Sequence, residues 1–316
     1  MYTLSKISRL IKYSSNLARN NNIVAIIAYG SIARGDSTPG STIDLCCLAK
    51  TGQTRIFPES DGEFMISYIN CIDIGRITRE EIRTWEAYVL LIGMRDGFVV
   101  FSRNRRLAAH LTDGLSKIRV SKAFIERHIH LARLYHHDGK KFIRSGEHVK
   151  ACLAFLAALE TIKLSIYLSK TPEAAGKKWE LERLKEIDPV FARRYESAFG
   201  SEPGEAARNL SKYVVFLNEI RRDPLLKTEI AKRDFTLHEK AISDVRDMIS
   251  WGQNDDASAI LKECGFIFLP RYQLIDLIER REDLSELFIS INGFRHARSR
   301  AMRLQKIVHD ALRAKR

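Results

Sequence analysis

No continuous run of about 18 apolar residues occurs in the 316-residue sequence, so no stretch reads as a membrane-spanning helix. The first 22 residues contain no acid but also no unbroken apolar segment, which excludes a secretory signal. They read as an amphipathic first helix, with a mitochondrial presequence as the alternative. The five cysteines (Cys46, Cys47, Cys71, Cys152 and Cys264) are odd in number and include no C-x-x-C. This pattern excludes a disulfide framework and implies buried free thiols in a reducing compartment, hence a cytoplasmic protein. No internal repeat and no low-complexity tract is present. RNA-recognition motifs, zinc fingers and aromatic-rich stacking strands are also missing.

What remains is an ordinary globular composition, 45% hydrophobic and 29% charged. The length implies two or three domains. Net charge is +13, of which residues 1–120 carry +5 and residues 121–316 carry +8. A basic surface of this kind suits a polyanionic partner.

Hydrophobic periodicity divides the chain at about residue 120. Before it, the pattern predicts a helix over 3–20, strands over 22–30 and 42–50, and a third strand within 62–76 that bends near Asn70. A helix from a capping box at Thr78–Glu81 to about Met94, a strand at Phe98–Ser102 and a helix near 104–118 follow. This is an α/β (α+β) unit with a mixed sheet. After it, two long helices meet near Gly146, the second apolar around much of its circumference and so central to an all-α bundle. Helices near 179–198 and 205–221 complete that bundle, and a strand is expected at 265–269. The predicted domains are 1–120, a helical bundle over 121–224 that holds an acceptor, and a mostly helical region over 225–316.

The chemistry concentrates in "AYGSIARGDSTPGSTIDLCC", residues 28–47. A strand ends in Gly30-Ser31, where glycine lets a phosphate approach the backbone and the serine hydroxyl and nearby amides can bond its oxygens. On the next strand, residues 42 and 44 point to one face, so acids there would converge on a divalent cation. Two such ions would orient a nucleoside triphosphate, activate an attacking hydroxyl and stabilise the leaving pyrophosphate.

The stretch "GSIARGDSTPGSTIDL" resembles the signature of the polymerase-β-type nucleotidyltransferase superfamily. It is most similar to its small prokaryotic and aminoglycoside-nucleotidyltransferase branch. Gly30, Ser31, Ala33, Arg34, Gly35, Ser41, Asp44 and Leu45 match the pattern. The resemblance covers about residues 1–120 and implies binding of a nucleoside triphosphate such as ATP with Mg2+, or Mn2+ in its place. It implies that Gly30, Ser31, Arg34, Ser41 and Thr42 hold the nucleotide and that Asp44 and Asp73 ligate metal and serve catalysis. Asp73 is the best candidate for the family's third carboxylate, because an acid in an apolar strand run is costly unless paired or metal-bound. Asp61 and Glu63 are its rivals. Arg34 is read either as a triphosphate contact or as an exposed loop arginine.

Thr42 departs from that pattern, standing where the family has its first metal-binding aspartate. Three explanations are open: a binding protein without catalysis, Asp36 serving as a substitute, or an active site with altered metal use or a substitution at position 42. The acceptor is expected to be RNA ahead of a small molecule, because the surface is basic. An antibiotic-modifying enzyme and a protein-modifying toxin are the further alternatives.

The C-terminal stretch 292–316 has eight basic residues and one acid, Asp310. Phe294, Ala297, Ala301, Leu304, Val308 and Ala311 form an apolar stripe, and Arg295, Arg298, Arg303 and Lys306 fall largely off it. Such a basic face can follow nucleic-acid phosphates. A solvated helix packed on the bundle and an acidic protein or membrane surface are the other readings. His128, His130, His136 and His137 lie in one predicted helix at spacings that do not suit a metal site.

Overall fold

The computed structural model describes residues 2–35, 37, 41–52, 54–71, 94–117, 120–170, 180–199, 205–224, 226, 232–250, 257, 278–292 and 294–314. The chain forms two compact units, Met1–Ile125 with Leu168–Gly176, and Glu126–Tyr167 with Lys177–Arg316.

The first unit is a mixed five-stranded sheet. Its strands are β1 (Ile23–Tyr29), β2 (Ile43–Ala49), β3 (Arg55–Asp61), β4 (Phe64–Asn70) and β5 (Phe98–Ser102), in the spatial order β3-β4-β2-β1-β5. β1 runs antiparallel to both β2 and β5, β3 antiparallel to β4, and β4 parallel to β2. Helix α1 (Tyr2–Leu17) packs on one face. Leu10 joins Ile23, Ile26, Ala28, Ile43, Leu45, Phe64 and Ile66 in one buried cluster, and the Tyr13 ring stacks on Phe64 at 3.8 Å. The alternation of strand side chains leaves Thr42 and Asp44 on the opposite face.

The sequence pattern predicts four strands, and β3 is the addition. Its sequence, RIFPESD, is polar and contains Pro58, and the pairing register with β4 shifts between Arg55 and Glu59. Proline cannot donate to a ladder, so such a strand is tolerated at a sheet edge, where β3 lies. A one-turn helix, α2 (Ser31–Arg34), separates β1 from β2, and α3 (Arg105–Ser116) follows β5 with Asn104 capping it. The predicted helix over 78–94 lies largely outside the described residues. The expected strand at 265–269 lies wholly outside them.

The second unit begins with most of α4 (Lys122–Ser145) and α5 (His148–Lys170), joined at Gly146, whose φ of +83° suits glycine. α6 (Glu180–Ile187), α7 (Pro189–Phe199), α8 (Glu205–Arg222), α9 (Lys232–Ser250), α10 (Glu282–Asn292) and α11 (Ala297–Arg313) follow. The single helix expected near 179–198 is divided at Asp188-Pro189, as proline opens a new helix readily at its first position. α5 is long and apolar enough to cross a bilayer, and 89% of its most apolar window is buried inside the protein. Cys46, Cys47 and Cys152 are buried free thiols. Cys71, expected to be buried, is only half-buried just beyond the end of β4.

Candidate active site

The site forms where β1 ends and β2 and β4 begin. Tyr29 is the register partner of Asp44 on β2, and Asp44 is the partner of Met65 on β4. Gly30 follows with φ +73° and ψ −147°. A Cβ added at Gly30 would run into the Asp44 carboxylate, coming within 3.1 Å of its Cγ and closer still to Oδ2. Glycine is therefore needed here for the carboxylate to lie against the backbone, a different use from the phosphate approach expected of it. The chain then turns once. The Gly30 carbonyl accepts from the amides of Ala33 and Arg34 at 3.2 Å each, and Gly35 ends the turn at φ +79°. Ser31 and Arg34 are half-buried on this turn.

Thr42 lies two residues before Asp44 on the same face, and its hydroxyl donates to Asp44 Oδ1 at 3.4 Å. The neutral Thr42 side chain thus serves the Asp44 carboxylate. On β4 the neighbour of Asp44 is Met65. Neither neighbour of Asp44 on its own face of β2 and β4 is acidic. The two rival acids turn elsewhere: Asp61 accepts from the Tyr13 hydroxyl and Glu63 pairs with Arg9 at 2.9 Å, both toward α1.

Asp73 and Asp36 lie outside the described residues. β4 ends at Asn70, which pairs with Ala49, five residues along β2 from Asp44. Asp96 comes two residues before Phe98, which pairs with Ala28, and so reaches the same edge of the sheet as Gly30.

Two residues near the site, Tyr29 and Lys6, are not singled out by the sequence pattern. Tyr29 is half-buried beside Asp44 and shares a hydrogen bond with Ser67 on β4 at 3.3 Å. Burial first, and the Asp44 charge second, push its phenol pKa far up, so it stays neutral. Lys6 is only 3% exposed, and its ammonium donates to the Ser41 carbonyl at 2.6 Å and the Ser37 hydroxyl at 3.3 Å. A lysine on the stripe Lys6-Leu10-Tyr13-Leu17, otherwise facing the core, was the available clue.

An oxygen site for Mg2+ is normally built from one or two carboxylates completed by substrate phosphates and water. Asp44 with the Thr42 hydroxyl fits one ion brought in by a triphosphate. No group of three or more His, Cys, Asp or Glu able to hold a metal exists among the described residues.

In the second unit, Arg295, Arg298, Arg303 and Lys306 are all exposed on or just before α11. Their side chains do not act alike. Arg303 donates to the Ser197 carbonyl, and Arg300 donates to the Ala198 carbonyl at 3.1 Å, both at the end of α7. Arg194 of α7 returns a hydrogen bond to the Asp310 carbonyl at 3.4 Å. No ion pair of Arg295, Arg298 or Lys306 is present among the described residues.

Residues 10–120 match the nucleotidyltransferase domain family. The first unit thus carries a nucleotidyltransferase domain, of the polymerase-β-type superfamily that the Gly30–Leu45 signature resembles. No curated protein matches the chain in sequence. The crystal structure of a nucleotidyltransferase-like protein from Exiguobacterium sibiricum is similar over 88% of this chain and 86% of that chain, at 14% identity and a TM-score of 0.37.

Proposed function

We propose that this protein transfers a nucleoside monophosphate from a nucleoside triphosphate such as ATP to an acceptor hydroxyl, with RNA ahead of a small molecule as acceptor. The observation that carries the reading is the seat of Asp44 against Gly30, at the mouth of a Gly-Ser turn within a nucleotidyltransferase domain. Ser31 and the turn amides bind phosphate oxygens, and Arg34 pairs with the triphosphate. Ser41 and Thr42 border the nucleotide. Asp44 holds the ion, with Asp73 as the second ligand and the base. When bound, Mg2+, or Mn2+, neutralises triphosphate charge and acidifies the attacking hydroxyl. The acceptor oxygen bonds to the α-phosphorus, the bond to the β-phosphate oxygen breaks, and pyrophosphate leaves while the acceptor proton passes to the base. Residues 121–224 hold the acceptor, and Arg295, Arg298, Arg303 and Lys306 contact RNA phosphates. A cytoplasmic location suits the free thiols.

A second reading is nucleotide or RNA binding without transfer. It is favoured by the neutral residues, Thr42 and Met65, on either side of Asp44.

The two separate in one assay. Pyrophosphate release and label transfer are measured with each of the four nucleoside triphosphates, Mg2+ or Mn2+, and total RNA. Transfer by the parent chain that falls by about three orders of magnitude in Asp44→Asn supports the enzyme, since lost electrostatic stabilisation of several kcal/mol has that effect on rate. Transfer only by Thr42→Asp supports the binding protein. Absence of transfer together with absence of both nucleotide and RNA binding overturns both.

A further inference from the structure

We propose that Lys6 is a positioning residue of this nucleotide site, a role that rests on the reading above. Lys6 lies on the face of α1 that carries Leu10, Tyr13 and Leu17 toward the sheet, and it is as buried as the core residues around it. An ammonium there loses its water and must recover hydrogen bonds from the protein. It recovers them from Ser41 and Ser37, at 2.6 and 3.3 Å. These two serines bracket the connection that leads from the Gly30–Gly35 turn into β2.

The consequence follows from the chain direction. Ser41 is itself buried and directly precedes Thr42, and two residues later the chain presents Asp44 to Gly30. A charge-assisted bond to the Ser41 carbonyl fixes the point from which Thr42 and Asp44 enter the site. An apolar residue at position 6 would remove this charge-assisted bond to the Ser41 carbonyl. The buried cation thus serves the loop, and its positive charge also favours a polyanionic ligand at the adjoining site.

The test compares the parent chain with Lys6→Met, Lys6→Gln and Lys6→Arg by three readouts. The first is amide hydrogen exchange of residues 41–44 in ligand-free protein. The second is the affinity for a fluorescent ATP analogue with Mg2+ at low salt, and the third is thermal stability. Lys6→Met is expected to keep the parent's melting temperature or exceed it, to speed exchange at 41–44 at least tenfold while β1 is unchanged, and to weaken analogue binding about tenfold. Lys6→Arg, which keeps the charge and donors, restores most of both losses, and Lys6→Gln is intermediate. Unchanged exchange at 41–44 overturns the proposal, as does a loss of exchange protection spread evenly over the sheet. Should Lys6→Met not fold, Lys6→Gln supplies the same comparison. If the parent itself fails to bind the analogue, the nucleotidyl reading fails alone, and the exchange arm still decides the role of Lys6.

Discussion

Gly30 and Asp44 are matched so that one has no side chain and the other uses the space. The carboxylate lies where a Cβ of residue 30 would stand, and the backbone of Gly30 has a positive φ of +73°. Both conditions point to glycine, one through sterics at a neighbouring strand and the other through the residue's own dihedral. The conformation of the turn and the direction of the carboxylate are therefore a single structural decision.

Gly30→Ala tests that decision. The methyl group has to displace the Asp44 carboxylate, and alanine has to accept a strained backbone, at a stability cost of about 1–3 kcal/mol. Misplacing a reacting group by about 1 Å is expected to lower transfer on the order of 100-fold. Thermal melts and the label-transfer assay check the two effects together. A variant with unchanged transfer means that Asp44 does not need its seat on Gly30.

Much of this arrangement is legible in the sequence. The apolar runs of β1, β2 and β5 and the Gly30-to-Leu45 spacing identified the turn and its strand, because these are local patterns. β3 was not legible, since Pro58 and three charged residues hide the alternation of an edge strand. The burial of Lys6 was also hidden, because an amphipathic helix pattern does not say which neighbour a lysine will meet. The pairing of Asp44 with Met65 comes from a parallel register between residues 21 apart in sequence, which no local periodicity encodes. That register places the thioether of Met65 beside Asp44.

The basic face of α11 separates into two kinds of cation. Arg303→Met removes a hydrogen bond to the last turn of α7 and is expected to lower stability by about 1 kcal/mol. Lys306→Ala is expected to leave the melting temperature unchanged. If this face follows RNA, removing Lys306 lowers the slope of log affinity against log salt by about 0.7–0.9, as loss of one phosphate contact does. Filter binding across a salt series, with melting curves alongside, tests both. An unchanged slope in Lys306→Ala removes α11 from the RNA surface.

Inside the second unit, Tyr195 joins a buried polar group. Its hydroxyl bonds Glu160, and Lys163 lies 2.7 Å from Glu160 and 3.2 Å from the same hydroxyl. Tyr195→Phe keeps the ring stacked on Phe199 at 4.3 Å but removes one hydrogen bond from each of the two charged groups. The expected cost is about 1–3 kcal/mol, the penalty for a buried polar group that loses its bond. Urea denaturation measures it. A variant as stable as the parent would show that this network does not hold α5 to α7.

His136 gives the second unit a pH dependence with a definite sign. Its ring lies 6.1 Å from that of His309 on α11 and 5.9 Å from Phe155, and Nε2 is buried with no hydrogen-bond partner among the described residues. Burial is the main cause that lowers its pKa below the usual 6.5, and the charges of Lys140, His309 and His137 act in the same direction. The unfolded chain therefore binds this proton more readily than the folded one. The contribution to stability is fully present above about pH 6.5 and is lost as pH falls through the lowered folded value. Melting temperatures measured from pH 8 to pH 5 should fall more steeply in the parent than in His136→Gln, which cannot take up the proton. Parallel curves would mean that His136 does not titrate against this cluster, and that the pairing of α4 with α11 is insensitive to pH.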